Sequence, residues 1–116
     1  MLTVKEVAER LSVSPSTIRY YDDEGLLPVV ERDQNGYRLF KEDDLFWLRF
    51  IQGMRSTGMS IETLRQVVHL RMKGKDTLNE QIKILKEHYE KLQDQKKDID
   101  VALGKLKIKM KILKAL

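Results

Sequence analysis

From Leu78 to Leu113 residues recur alternately four and three positions apart: Leu78, Ile82, Leu85, Tyr89, Leu92, Lys96, Ile99, Leu103, Leu106, Met110 and Leu113. Only Lys96 among them is polar. This spacing keeps one stripe of a supercoiled α-helix turned toward a partner helix. A helix of ~40 residues runs ~60 Å. A chain of 116 residues builds one compact core, too small to cover such a rod along its length. The spacing therefore predicts self-association through residues 75–116, with Ile82, Leu85, Tyr89, Leu92, Ile99, Leu103, Leu106 and Met110 as dimerisation residues. Lys96 either fixes the register, as a lone polar seam residue does, or lifts its ammonium to water on an aliphatic stem. His88 falls beside the seam, and solvent is its expected surrounding.

The end of this region carries a second signal. Lys105 to Leu113 alternates with period two, as a strand does, and Gly104 stands just before it as a candidate helix break. Continued helix is the favoured reading, because Leu106, Met110 and Leu113 keep the heptad and Leu, Met and Lys are good helix formers. Ile108 and Ile112 then form an apolar strip off the seam, interleaved with lysines. The head of a partner subunit is the favoured occupant, and an acidic surface, membrane included, is the alternative.

The other end of the chain reads as two short helices. Thr3 followed by Glu6 is a capping box, and Val4, Val7, Ala8 and Leu11 make one apolar stripe behind it. Ser14 and Pro15 cap and open a second helix, and Gly25 suits the left-handed residue that closes one. Ile18 and Tyr21 should face the first helix. That leaves Ser16, Thr17 and Tyr20 on the opposite face with Arg19 at its edge, and hydroxyls, a phenol and a guanidinium suit phosphates and base edges. With a connecting loop of only Ser12 to Ser14, the pair reads as a helix-turn-helix. An ordinary helical hairpin with a polar outer face is the alternative.

Val29-Val30-Glu31-Arg32 and Tyr37-Arg38-Leu39-Phe40, joined by a loop ending in Asn35-Gly36, read as a β-hairpin. After a helix-turn-helix this is a wing, from which Arg38 could reach a phosphate or merely sit solvated. Two more helices follow, Lys41 to Ser56 and Ser60-capped to Lys73. Leu45, Trp47, Leu48, Ile51 and Met54 are available for burial from the first, and Ile61, Leu64, Val67, Val68 and Met72 from the second. Trp47 is expected in a core or interface. Gly53 inside a helix costs ~1 kcal/mol relative to alanine and suggests close packing there.

Composition excludes several functions. The chain has no cysteine, so disulfides, thiolate metal sites, iron–sulfur clusters and cysteine nucleophiles are absent. His69 lacks a second ligand at helical spacing. No nucleophile–base pair or phosphate-cradling glycine loop appears, so neither enzymatic activity nor a cofactor is expected. No apolar run spans a bilayer, and Lys5, Glu6 and Glu9 come too early for a signal peptide, which points to the cytoplasm and no membrane partner. The net charge of +4 arises wholly beyond residue 76. Residues 1–76 hold equal numbers of acids and bases, so a DNA-binding head here must segregate its charges.

This order of parts, together with SPSTIRYYDDEGLL and NGYRLF, resembles the MerR family of bacterial transcriptional regulators. The resemblance covers residues 1 to about 74 closely and agrees in type beyond. It implies a mainly α fold, with a winged helix-turn-helix head over residues 1–74 and an antiparallel coiled-coil dimerisation helix over 75–116. The implied partners are a second copy, double-stranded promoter DNA at a pseudo-palindromic operator, and RNA polymerase indirectly through the bent and untwisted promoter. Carried across residue by residue, Ser16, Thr17, Arg19 and Tyr20 match the recognition helix, Tyr37 and Arg38 match the wing's backbone contacts, and Tyr21 matches a buried tyrosine. Lys41 stands where the family usually places a serine or threonine cap. Sensing members carry cysteines after the long helix, and their absence here, with no separate effector domain, leaves any effector unassigned. An excisionase-like architectural protein and a coiled-coil adaptor are the competing functions.

Overall fold

The computed structural model describes residues 1–28 and 30–116. Two elements open the chain: strand β1 (Leu2–Thr3) and helix α1 (Val4–Leu11). The predicted capping box is present, with the Thr3 hydroxyl accepting from Glu6 N and the Glu6 carboxylate accepting from Thr3 N, both at 3.2 Å. The Thr3 backbone N–H first, and then the Thr3 hydroxyl, hold the Glu6 carboxyl below its ordinary pKa by stabilising its charged form. Ser12 closes α1 in the left-handed region at φ 56°, which turns the chain sharply into α2 (Pro15–Asp23). Val7, Ala8 and Leu11 of α1 are buried with Ile18 and Tyr21 of α2. The small Ala8 allows the two helices to cross closely.

The wing consists of β2 (Glu31–Arg32) and β3 (Arg38–Phe40). The predicted strand residue Val29 lies outside the described residues. Gly36 takes φ +84° at the hairpin end, and Asp33 ties the turn by accepting from Asn35 N and Tyr37 N, both at 2.9 Å. β3 is central in a three-stranded antiparallel sheet of order β1-β3-β2. Leu2 pairs with Phe40, and Arg32 with Arg38. Strand β1 was not predicted, since a two-residue strand has no period to detect. It anchors the wing to the start of α1.

Helices α3 (Glu42–Ser56) and α4 (Ile61–Lys73) complete the head. Lys41 supplies no side-chain acceptor for the start of α3. Asp44 Oδ2 instead accepts from Lys41 N at 2.8 Å, so half a capping box does the work. Phe40, Leu48, Ile51, Met59 and Leu64 are fully buried around the α1–α2 pair. Trp47 stacks on Phe50 at 5.0 Å, donates Nε1–H to Leu26 O at 2.7 Å, and lies under the Arg71 guanidinium at 4.5 Å. Two expectations need correction. A Cβ built on Gly53 meets nothing within 4 Å, so no close approach explains that glycine. Met72 is exposed, because the last turn of α4 runs past the core.

After a 3-10 turn (Lys75–Thr77), α5 runs unbroken from Leu78 to Lys114. Gly104 does not break it, and Lys105–Leu113 is helical despite its alternation. The first turns of α5 pack on α4, with Leu85 against the head's core. There His88 is half-buried and tied to the head, where solvent alone was expected. Its Nε2 lies 2.9 Å from Thr57 Oγ1 and 3.3 Å from Thr57 O. The Thr57 hydroxyl already donates to Met54 O, so Nε2 must be the donor in both contacts. Beyond this anchor the helix projects freely, giving a molecule of 73 × 34 × 19 Å. Ile99, Leu103, Leu106, Met110 and Leu113 remain 54–60% exposed.

Candidate nucleic-acid interface

Because Ile18 and Tyr21 turn inward, the opposite side of α2 is presented outward. Ser16, Arg19 and Tyr20 are exposed and Thr17 is half-buried. The hydroxyls gather at the start of the helix. Ser14 Oγ accepts from Thr17 N at 3.2 Å and lies 2.8 Å from Ser16 Oγ and 2.9 Å from Thr17 Oγ1. Both hydroxyls therefore meet the cap serine, Ser16 from an exposed position and Thr17 from a half-buried one. Tyr20 leaves its ring in solvent beside the buried Tyr21, with ring centroids 6.1 Å apart.

This face is flanked on both sides. Toward the wing lies a cleft of about 430 Å³ whose lining includes Lys5, Arg19, Tyr37 and Arg38. Toward the α3–α4 turn, Ser16, Thr17 and Tyr20 border a shallow hollow shared with Arg55. The Arg55 guanidinium is steadied there by Met59 O at 2.7 Å. Lys5 escaped the sequence reading because it looked like one more residue on the wet side of α1. Only the fold brings it beside Arg19. The cleft's position follows from β1, which draws the α1 start up against the wing.

The expected segregation of charge is incomplete, since Asp33 lines the cleft with Lys5 and Arg19, but several acidic side chains of the head are taken up in ion pairs. Glu42 pairs with Arg10 at 3.1 Å, Glu31 with Lys41 at 3.0 Å, and Glu24 with Arg65. The hydrogen bond to Glu31 raises the Lys41 pKa. Among the described residues Lys5 and Arg19 make no ion pair and both line the cleft, as does Asp33, whose carboxylate accepts from the wing-turn amides.

The sequence suggested Arg38 as a wing contact to DNA backbone, but its guanidinium is already engaged. Nε donates to Asp22 Oδ2 at 2.5 Å and Nη2 to Asp23 Oδ1 at 3.1 Å, with the side chain only 15% exposed. Alternation along β3 is the cause: it sends Tyr37 outward and Arg38 toward the end of α2. Ser16, Thr17, Arg19, Tyr20 and Tyr37 thus share one outward surface, and Arg38 lies at its edge facing inward. Among the described residues no cluster of three or more His, Asp or Glu could hold a metal. No helix there is long and apolar enough to cross a membrane.

Comparison with known proteins accords with this geometry. The family model described as MerR HTH family regulatory protein matches residues 2–70, and the one described as MerR, DNA binding matches residues 45–107. An uncharacterized HTH-type transcriptional regulator of Haemophilus influenzae is 34% identical over 90% of this chain and 73% of its own length. Among solved structures, HiNmlR, a MerR family regulator lacking the sensor domain, bound to promoter DNA, is 33% identical. It superposes with a TM-score of 0.74 over 93% of this chain and 86% of that one. A putative MerR family transcriptional regulator from Listeria monocytogenes is 36% identical, with a TM-score of 0.80 over 95% and 83% of the two chains. By sequence and by fold, the chain belongs to the MerR family of DNA-binding transcriptional regulators.

Proposed function

We propose that this protein binds a pseudo-palindromic promoter operator as a homodimer and bends and untwists the DNA between the half-sites, acting on RNA polymerase through promoter shape. The observation that carries the reading is the outward face of α2, Ser16, Thr17, Arg19 and Tyr20, set beside a cleft where Lys5, Arg19 and Tyr37 converge. Phosphates fit that cleft, where two cations stand without ion pairs, and base edges fit the short donors of α2. Residues 1–74 serve as the DNA-binding unit and 75–116 as the dimerisation helix. The exposed seam along α5 (Ile82, Tyr89, Ile99, Leu103, Leu106 and Met110, with Leu92 half-buried on the same stripe) supports an antiparallel coiled coil, whereas Leu85, assigned to it by spacing, packs on the chain's own head. Two heads at opposite ends of such a rod would address successive turns of one face of the duplex. The similar regulator solved on promoter DNA favours this partner over a protein.

The test is selection of duplexes from a random library with the purified chain. Recovery of an inverted repeat supports the reading, and Arg19→Ala should then weaken binding to the recovered duplex at fixed salt while leaving dimerisation intact. Absence of any salt-dependent DNA affinity would refute it.

A further inference from the structure

The wing contains an arrangement that sheet energetics alone disfavours. Strand pairing sets Arg32 of β2 directly opposite Arg38 of β3, and like charges directly opposite across strands repel. The structure resolves this with a residue from another element. Asp22 Oδ2, near the end of α2, accepts from Arg38 Nε at 2.5 Å and from Arg32 Nη2 at 3.4 Å. Arg32 also donates to Gly36 O at the wing turn at 2.9 Å, and Asp23 takes the free end of Arg38. Asp22 and Arg38 are among the least exposed charged side chains of the head, at 17% and 15%.

Asp22 follows Arg19 by three residues on α2, so both lie on the side that faces the wing. One end of that side presents an unpaired cation, and the other carries a carboxylate that would repel a phosphate were it not neutralised. Two of the five N–H donors of Arg38 are committed to carboxylates that also offset its charge, which weakens its pull on a phosphate and fixes where the guanidinium stands.

We propose that Asp22 is a positioning residue, which holds Arg32 and Arg38 off the DNA backbone and fixes the angle between the wing and the recognition helix. The proposal rests on the DNA-binding reading above. Within that reading, Arg19, Lys5 and Tyr37 meet phosphate, while Arg38 sets where Tyr37 stands. The wing angle then decides which groove width is accepted, so the cluster acts on selectivity between DNA shapes and not on general attraction.

Salt dependence separates the two roles, because each phosphate contact contributes about 0.9 to the slope of log affinity against log salt. The probe is a random-sequence duplex of about 30 bp, roughly three helical turns, titrated with the full chain at several salt concentrations. In the wild-type background Arg38→Ala should leave the slope unchanged. Asp22→Asn releases Arg32 from its only carboxylate, so the slope should steepen by about 0.9; adding Asp23→Asn also releases Arg38 and should steepen it by about 0.9 more, which Arg38→Ala in that double background should remove again. Preference for a duplex recovered by selection over the random one should fall at least about tenfold in Asp22→Asn. Should Asp22→Asn fail to fold, the Arg38 Nε–H resonance of the wild-type protein gives an independent readout, expected to stay slowly exchanging when the random duplex is added.

A loss of about 0.9 in slope from Arg38→Ala in the wild-type background, or release of that resonance on binding, would overturn the proposal by making Arg38 a phosphate contact. DNA binding itself would stand in either case. No salt-dependent binding by the wild-type chain would instead remove the DNA reading and this proposal with it.

Discussion

Truncating one seam residue on the free part of α5 tests the dimer quantitatively. Leu103 is 57% exposed in the single chain. Full burial of a leucine side chain stabilises by about 1.5–3 kcal/mol, so covering the exposed part contributes about 1–1.5 kcal/mol. A twofold dimer contains the residue twice. Leu103→Ala should therefore cost about 2–3 kcal/mol of association, raising the dimer Kd roughly 30- to 150-fold at 1.4 kcal/mol per decade. Alanine is as good a helix former as leucine, so α5 should stay helical. Val101 is an internal control, 58% exposed but off the seam, and Val101→Ala should leave the Kd within about twofold. Sedimentation velocity across a dilution series reads both variants. Equal effects of the two substitutions, or none from Leu103→Ala, would refute the assignment of this stripe as the interface.

Further predictions concern the head. Gly53→Ala should stabilise by about 1 kcal/mol and raise Tm by several degrees, since the helix gains a better former and the new methyl meets nothing within 4 Å; a lowered Tm would show that this face is covered in the assembly. Glu6 titrates below its ordinary value of 4.5 in the folded chain, so its contribution is fully present above that value and lost as pH falls through the folded pKa. Protection of the α1 amides, referred to the intrinsic exchange rate at each pH, should fall on that acid side, and Glu6→Gln should remove that fall. Ser60→Ala should cost about 1 kcal/mol by deleting the α4 cap, in which Ser60 Oγ accepts from Thr63 N at 3.0 Å; a denaturant midpoint unchanged from wild type would contradict that role.

Legibility in the sequence followed the range of the interactions. Helix ends written in local chemistry were readable: Thr3 with Glu6, Ser14 with Pro15, and Ser60 all cap where their residue types suggested. The heptad carried α5 through Gly104, where the competing two-residue alternation of the lysines is a surface pattern with no sheet to join. Features requiring distant partners were hidden. Arg38 reads as a free wing cation until β3 is placed against Asp22, sixteen positions away in sequence. His88 looks solvated until α5 folds back on Thr57. Lys5 became part of the candidate interface only through the pairing of Leu2 with Phe40, which no local signal announced. Gly53 shows the opposite failure, a residue type whose usual reason is absent at this position.

Hydroxyl-radical footprinting of the full chain on a duplex recovered by selection addresses the central claim most directly. Two heads carried by one antiparallel rod should protect two stretches related by a dyad, their centres a whole number of helical turns apart at about 10.5 bp per turn. A single protected stretch, or protection with no symmetry between the strands, would contradict the account.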